Sequence, residues 1–368
     1  MAGSAVAQAT GGAVPALIVV FVSSALDLAE IAAGLRESCG DVPVVGCSTA
    51  GEIALDGPGD EGIVVLALGG TGFTVATAAA TGASKRLRDA GAEAAACFRQ
   101  IGDCEHAVLL LLTDGLAGDQ QEIVRGVYGV VGAEVPLVGG CAGDDLRMVR
   151  TQVLHNDRFL DDAVVAVAIG STGPFGIGVQ HGWRTVGEPM LVTASSGNRV
   201  FALDDQPALD VYLRRLDAPE AAHHDAAAFT RFALTHPLGL TRRSGQEVRF
   251  IADADFTERS LGCIARVPQG GMTWIMEGDD ESVLRATEAA CDDALEQLAG
   301  AAPLGLLAFD CIARRAVLGE PGIAREIAIV GDRAGGVPVA GFYTYGEIAR
   351  TRGTGGFHNQ TLVVLAVG

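Results

Sequence analysis

The sequence predicts an α/β fold in which repeated strand–helix–strand units form largely buried sheets, organised as two domains. Three observations carry this expectation. One Gly-rich segment occurs three times, each occurrence lies between short Val/Ile/Leu runs, and each follows a helical stretch.

The three segments are Val42-Pro-Val-Val-Gly-Cys-Ser-Thr-Ala-Gly-Glu-Ile53, Val135-Pro-Leu-Val-Gly-Gly-Cys-Ala-Gly-Asp-Asp-Leu146 and Val337-Pro-Val-Ala-Gly-Phe-Tyr-Thr-Tyr-Gly-Glu-Ile348. They align without gaps. Pro cannot continue a helix, so Val-Pro marks an extended entry. The Gly that follows permits a sharp turn or a close approach of backbone. Buried strands are expected before the motifs at Ala16–Ser23, His106–Thr113 and Leu304–Phe309, and after them at Ile63–Gly69, Ala163–Gly170 and Thr361–Gly368. Such short apolar runs between turn signals fit strands covered on both faces. Helices over Ser84–Ile101 and Asp280–Leu298 lead into the second and third copies. Matched motifs with matched flanks indicate duplication.

The stretch Ser171–Gly271 does not fit the unit. It should hold a helix capped near Asp204 or Asp205, a His- and Ala-rich helical region, and β structure over Glu247–Val267. The natural cut therefore gives a loose tail over residues 1–14, one domain over 15–172 and a second over 173–368.

Composition narrows the function. With 49% hydrophobic and 19% charged residues the chain is not disordered, and with 50 glycines and 5% aromatics its core must be aliphatic and its turns tight. A net charge of −19 without any basic run argues against nucleic acid and against an anionic membrane surface. The eight cysteines form no Cys-x-x-Cys pair, which removes the common zinc-ribbon and thioredoxin patterns and suits a reducing compartment. The apolar run Ala16–Val22 is too short for a signal peptide or a membrane span. The expected location is cytoplasmic.

The motif loops should lie at strand ends, where open α/β sheets place ligands. That nominates Cys47, Ser48, Thr49 and Glu52 from the first copy, Cys141 and Asp144 (with Asp145) from the second, and Phe342, Tyr343, Thr344, Tyr345 and Glu347 from the third. Asp114, Cys311 and Arg314 join them from the ends of the preceding strands. Each has a plainer reading. The cysteines suit buried thiols, the carboxylates can cap the next segment, and the tyrosines can plug a core. No phosphate-binding Gly-x-x-x-x-Gly-Lys-Ser/Thr motif and no His-x-x-x-His pair occurs, so no metal is expected.

Val-Val-Gly-Cys-Ser-Thr-Ala-Gly-Glu-Ile, His-Gly-Trp-Arg, Gln-Pro-Ala-Leu-Asp-Val-Tyr, Pro-Leu-Gly-Leu, Gly-Phe-Tyr-Thr-Tyr-Gly-Glu-Ile and Phe-His-Asn-Gln-Thr together resemble the FIST family of sensory proteins. The resemblance runs from about Pro15 to the C-terminus. It implies a non-enzymatic sensory module that binds a small polar, amino-acid-like ligand in a cleft formed by both domains. With no kinase or cyclase appended, output would pass to a signalling protein in trans, such as a histidine kinase or a cyclic-di-GMP enzyme. Some relatives bind haem and sense nitric oxide; here His181, His236 or His358 would be the axial ligand, and otherwise no cofactor is implied. A Cys47- or Cys141-dependent acyl transfer is the remaining alternative.

Overall fold

The computed structural model describes residues 14–59, 61–242, 245–350 and 356–368. The expected N-terminal tail lies outside them except for Val14. The chain folds as three related units with one insertion. Unit one comprises β1 (Pro15–Ser23), α1 (Leu28–Cys39), β2 (Val44–Thr49), a hairpin of β3 (Glu52–Ala54) and β4 (Gly57–Gly59), and β5 (Ile63–Gly69). Unit two comprises β6 (Phe73–Thr81), α2 (Leu87–Ala95), β7 (His106–Thr113), α3 (Gln120–Val131), β8 (Leu137–Cys141), a hairpin of β9 (Val153–His155) and β10 (Arg158–Leu160), and β11 (Ala163–Ser171).

Unit three opens with β12 (Phe175–Gln180) and is then interrupted. The interruption contains β13 (Arg184–Ser196), β14 (Arg199–Leu203), β15 (Gln206–Pro207), α4 (Ala208–Arg215), α5 (Ala226–Ala233), β16 (Leu238–Arg242), β17 (Gly245–Arg249), β18 (Ile251–Asp255), β19 (Ser260–Cys263) and β20 (Met272–Glu277). The unit resumes with α6 (Asp280–Glu296), β21 (Gly305–Cys311), α7 (Ile312–Ala334), β22 (Val339–Thr344), a hairpin of β23 (Glu347–Arg350) and β24 (Phe357–His358), and β25 (Leu362–Val367). The expected domain cut at 172/173 falls in the turn between β11 and β12.

Each motif strand pairs in parallel with the strand before it, and the strand after the motif joins antiparallel on the other side. The motif glycine is opposite Val20, Leu111 or Ala308 in these registers. A Cβ at Gly46, Gly139 or Gly341 would lie only 1.8, 1.9 or 2.2 Å from the facing carbonyl oxygen. Of the two roles expected for this glycine, close approach applies; the residue is inside a strand, not in a turn.

Each hairpin leaves its own unit. That of unit one pairs with β22 of unit three, that of unit three with β8 of unit two, and that of unit two with β2 of unit one. The registers correspond: Phe342 faces Glu52, Gly140 faces Glu347 and Cys47 faces Val153. The exchange is cyclic, and it covers every motif-strand edge that would otherwise stay open.

Alternation within the strands builds the layers. Phe21, Leu110 and Phe309 face a core shared by all three sheets, where the Phe21 and Phe342 rings are 4.6 Å apart and Phe309 meets both edge-on. Their neighbours face outward to the helices: Val20 towards α1, Leu111 towards α2 and α3, Ala308 towards α6 and α7. The insertion forms a separate sheet with its own core around Tyr212, Phe229 and Ile251. Neither Asp204 nor Asp205 caps the helix there: both take positive φ in the β14–β15 turn, and Pro207 stands at the start of α4. Among the described residues no helix is long and apolar enough to cross a membrane.

Candidate functional site

The three motif turns are held by equivalent hydrogen bonds. The N–H groups of Gly143, Ala50 and Tyr345 donate to the carbonyls of Ser48, Tyr343 and Cys141, at 3.0, 3.1 and 3.1 Å. In return, Tyr343 N–H donates to Gly51 O and Cys141 N–H to Gly346 O, both at 2.8 Å. The third member of that set breaks the pattern: Ser48 N–H donates to Gln152 O at 2.9 Å, because the second copy makes a longer excursion between Gly143 and Gln152. The ungapped match therefore fails after Gly143, and Val153 stands where Glu52 and Glu347 stand.

The carboxylates of the motifs hold the fold. Thr49 and Thr344 hydroxyls donate to Glu52 and Glu347, whose second oxygens accept from Gly62 N–H (3.0 Å) and Thr361 N–H (3.2 Å), just ahead of β5 and β25. In the second unit Asp114 serves this end: it accepts from the Thr151 hydroxyl and from Asp162 N–H (2.6 Å), just ahead of β11. Burial pushes Glu347 up to about 8 against the pull of Thr344.

The third-copy aromatics fill space. Phe342 is in the shared core, and Tyr343 is buried under the Arg315 guanidinium, 5.0 Å from the ring centre. Arg314 is fully buried, bonded to Asp310 (2.6 Å), Glu326 (2.7 Å) and Thr287 (2.8 Å), and so clamps β21 to α6 and α7. Burial pushes the thiols of Cys47 and Cys311 well up and that of Cys141 to about 12, so none is a ready thiolate.

A cavity of about 1010 Å³ opens beside this frame, at the C-terminal ends of β1 and β2. Ser24, Leu28 and Ala29 form one side, and Arg147, Gln152 and Phe159 another. Of the nominated residues, Ser48 and Asp144 border it. Ser48 donates to Gly143 O (2.8 Å) and accepts from Gln152 N–H (3.0 Å). Asp144 accepts from the N–H groups of Met148, Val149 and Arg150 at 2.8–2.9 Å and from the Tyr345 hydroxyl. Burial alone would raise this carboxyl, but the Tyr345 hydroxyl and the three amides outweigh it and hold it below its usual value. Around it Asp145, Leu146 and Met148 all take positive φ, a strained path that needs such an anchor.

Arg147 reaches across this wall, donating to Asp144 O (2.9 Å) and to the Ser24 hydroxyl. It makes no carboxylate pair among the described residues, and neither does Arg158 at the cavity edge. Sequence reasoning missed Arg147 and Gln152. The available signal was spacing: the stretch from motif glycine to following strand is longest in the second copy, Gly139 to Ala163 against Gly46 to Ile63 and Gly341 to Leu362. A second cavity, of about 530 Å³, occupies the corresponding place in unit three, between Ala50, Leu146, Ile312, Arg315 and Ile323.

The histidines are placed elsewhere. His181 Nδ1 accepts from Trp183 N–H (3.0 Å), and burial, with Arg314 and His358 nearby, pushes it down to about 4. His236 stacks on Phe232 at 4.5 Å and bonds Phe232 O through Nδ1 (2.7 Å), and His358 bonds Ala349 O through Nε2 (2.9 Å). None of the three lines either cavity. Among the described residues no cluster of His, Cys, Asp or Glu is arranged to hold a metal ion.

Comparison with known proteins agrees with this architecture. The FIST N domain matches residues 16–206 and the FIST C domain residues 208–350. The chain is 25% identical over 230 residues to the uncharacterized protein Rv0628c of Mycobacterium tuberculosis (strain ATCC 25618 / H37Rv), covering 61% of this chain and 59% of the relative. It is 23% identical over 296 residues to the uncharacterized protein MJ1623 of Methanocaldococcus jannaschii, covering 74% of this chain and 56% of the relative. The chain thus spans less than two thirds of the length of the curated relatives it matches. FIST domains are generally small-ligand sensory domains of signal transduction, and with both of their models matched in order over most of its length, this chain belongs to the FIST family.

Proposed function

We propose that this chain is a non-enzymatic sensor that binds a small polar, amino-acid-like ligand in the cavity beside Arg147 and Gln152 and signals through a partner protein. The observation that carries this reading is the cavity itself: it lies at parallel strand ends and sets apolar side chains such as Leu28, Ala32 and Phe159 among many polar and charged ones. Both halves of the chain contribute, because Tyr345 of unit three braces Asp144, and Asp144 anchors the cavity wall. A ligand that favours one path of the Asp144–Gln152 wall would shift the population of that brace, and a partner reading unit three would register it. Histidine kinases and cyclic-di-GMP enzymes are the partner classes to test. All eight cysteines are unpaired, which suits a reducing compartment such as the cytoplasm.

A thermal-shift screen of small polar metabolites tests the reading. Ligands at one hundred times their Kd should stabilise the chain by about 2.7 kcal/mol, a rise of several degrees in Tm. A plug in the cavity, Ala29→Trp, should abolish the shift. Stabilisation by no member of the screen, or stabilisation that survives the plug, overturns it.

A further inference from the structure

Gly143, Ala50 and Tyr345 occupy corresponding positions, as their cyclic hydrogen bonds establish. Ser24, Gly115 and Ile312 correspond too, each two residues beyond the partner of Ser48, Cys141 or Tyr343 in the parallel registers. In unit two the pair is Tyr345 over Gly115: a Cβ added at Gly115 would lie 3.1 Å from the Tyr345 side chain. There the chain's own phenol ring covers the strand end and its hydroxyl is bonded to Asp144. In unit one the residue corresponding to Tyr345 is Gly143, where a Cβ would lie 2.9 Å from Ala50, so no ring of the chain reaches over Ser24, which lines the 1010 Å³ cavity.

The polar wall of that cavity is incomplete by itself. Gln152 is 9% exposed and borders the cavity, yet among the described residues its side-chain amide has no hydrogen-bond partner. That amide keeps access to solvent through the cavity, where a ligand can take the place of water. Arg147, also in the lining, binds only neutral oxygens, so its charge is not neutralised by a carboxylate. The lining also holds Leu26, Leu28, Ala32 and Phe159, apolar side chains suited to a ring.

Building on the proposed ligand site, we infer that its ligand is a small aryl carboxylate, with the ring where unit one lacks the counterpart of Tyr345 and the carboxylate at Arg147 and Gln152. Guanidinium and amide donors together match the acceptor oxygens of a carboxylate. An amine of the same shape finds no acceptor at Arg147 and would have to turn to the lining carboxylates Asp27, Glu37 or Asp157 instead.

Isothermal titration calorimetry of the full chain with 4-hydroxyphenylacetate, tyramine and glutarate tests this. The aryl carboxylate should bind at least tenfold more tightly than the aryl amine or the aliphatic acid. Arg147→Gln and Gln152→Leu, each checked for an unchanged melting curve, should weaken it tenfold or more; Arg147 is exposed, so its variant folds even if the other does not. Equal binding of tyramine, or full affinity in Arg147→Gln, overturns the inference. If other small polar compounds bind in a manner blocked by Ala29→Trp while 4-hydroxyphenylacetate does not bind, the ligand class falls and the site stands. If nothing that binds responds to the plug, both fall.

Discussion

Glu347 is an acid whose carboxyl is fully buried, and its surroundings set a pH dependence that can be signed in advance. Burial raises it to about 8 from the ordinary 4.5. Between those values the unfolded chain has released the proton and the folded chain still holds it. Stability therefore falls as pH rises through this window, by about 1.4 kcal/mol per unit, and levels off above 8. Glu347→Gln should flatten that part of the profile. Urea unfolding at pH 5, 6.5 and 8 measures it, and a variant with the slope of the parent would refute the assignment. The same residue illustrates how a sequence misleads at this scale. A carboxylate at a strand end reads equally well as a ligand contact or as a cap. In Glu52, Glu347 and Asp114 the capping role is the one the hydrogen bonds describe: a threonine hydroxyl and the amide just ahead of the next strand use their oxygens.

At the scale of the elements, the motif strand depends on its glycine. A methyl group at Gly46 would lie 1.8 Å from the Val20 carbonyl, a backbone atom that cannot swing aside. Gly46→Ala should cost at least about 3 kcal/mol or prevent folding. Gly34 of α1 has nothing within 4 Å of an added Cβ, so Gly34→Ala should stabilise by up to about 1 kcal/mol. Chemical denaturation of the two variants gives the comparison, and equal effects would contradict the close-approach account. The strands themselves were legible, since buried Val/Ile/Leu runs announce them: Pro15–Ser23, His106–Thr113 and Ile63–Gly69 fall where the pattern puts them. The destinations of the hairpins were not, because edge pairing is made by backbone groups that every residue carries. The cavity was legible only in inverted form. Tyr343 and Tyr345 attract notice as aromatics in a Gly-rich loop, yet they fill space, and it is the inconspicuous Ser24 and Ser48 that border the open cavity.

At the scale of the whole molecule, the cyclic exchange joins residues that two family models assign to separate domains. Unit one lends its hairpin to unit three and receives one from unit two, so no unit has a complete sheet alone. Unfolding should therefore be a single transition. Circular dichroism and the accessibility of the buried Cys47 thiol to a thiol reagent, followed across the same urea series, should give coincident midpoints. Midpoints that separate would mean that unit one opens independently. The exchange also imposes a timetable on synthesis. The β3–β4 hairpin (Glu52–Gly59) leaves the ribosome long before β22 (Val339–Thr344), the strand it must pair with. At ~5–20 residues per second the hairpin waits on the order of tens of seconds without its partner. For that interval the nascent chain carries an unpaired strand and an unfilled edge, which makes it a natural client for whatever guards emerging chains in the cell.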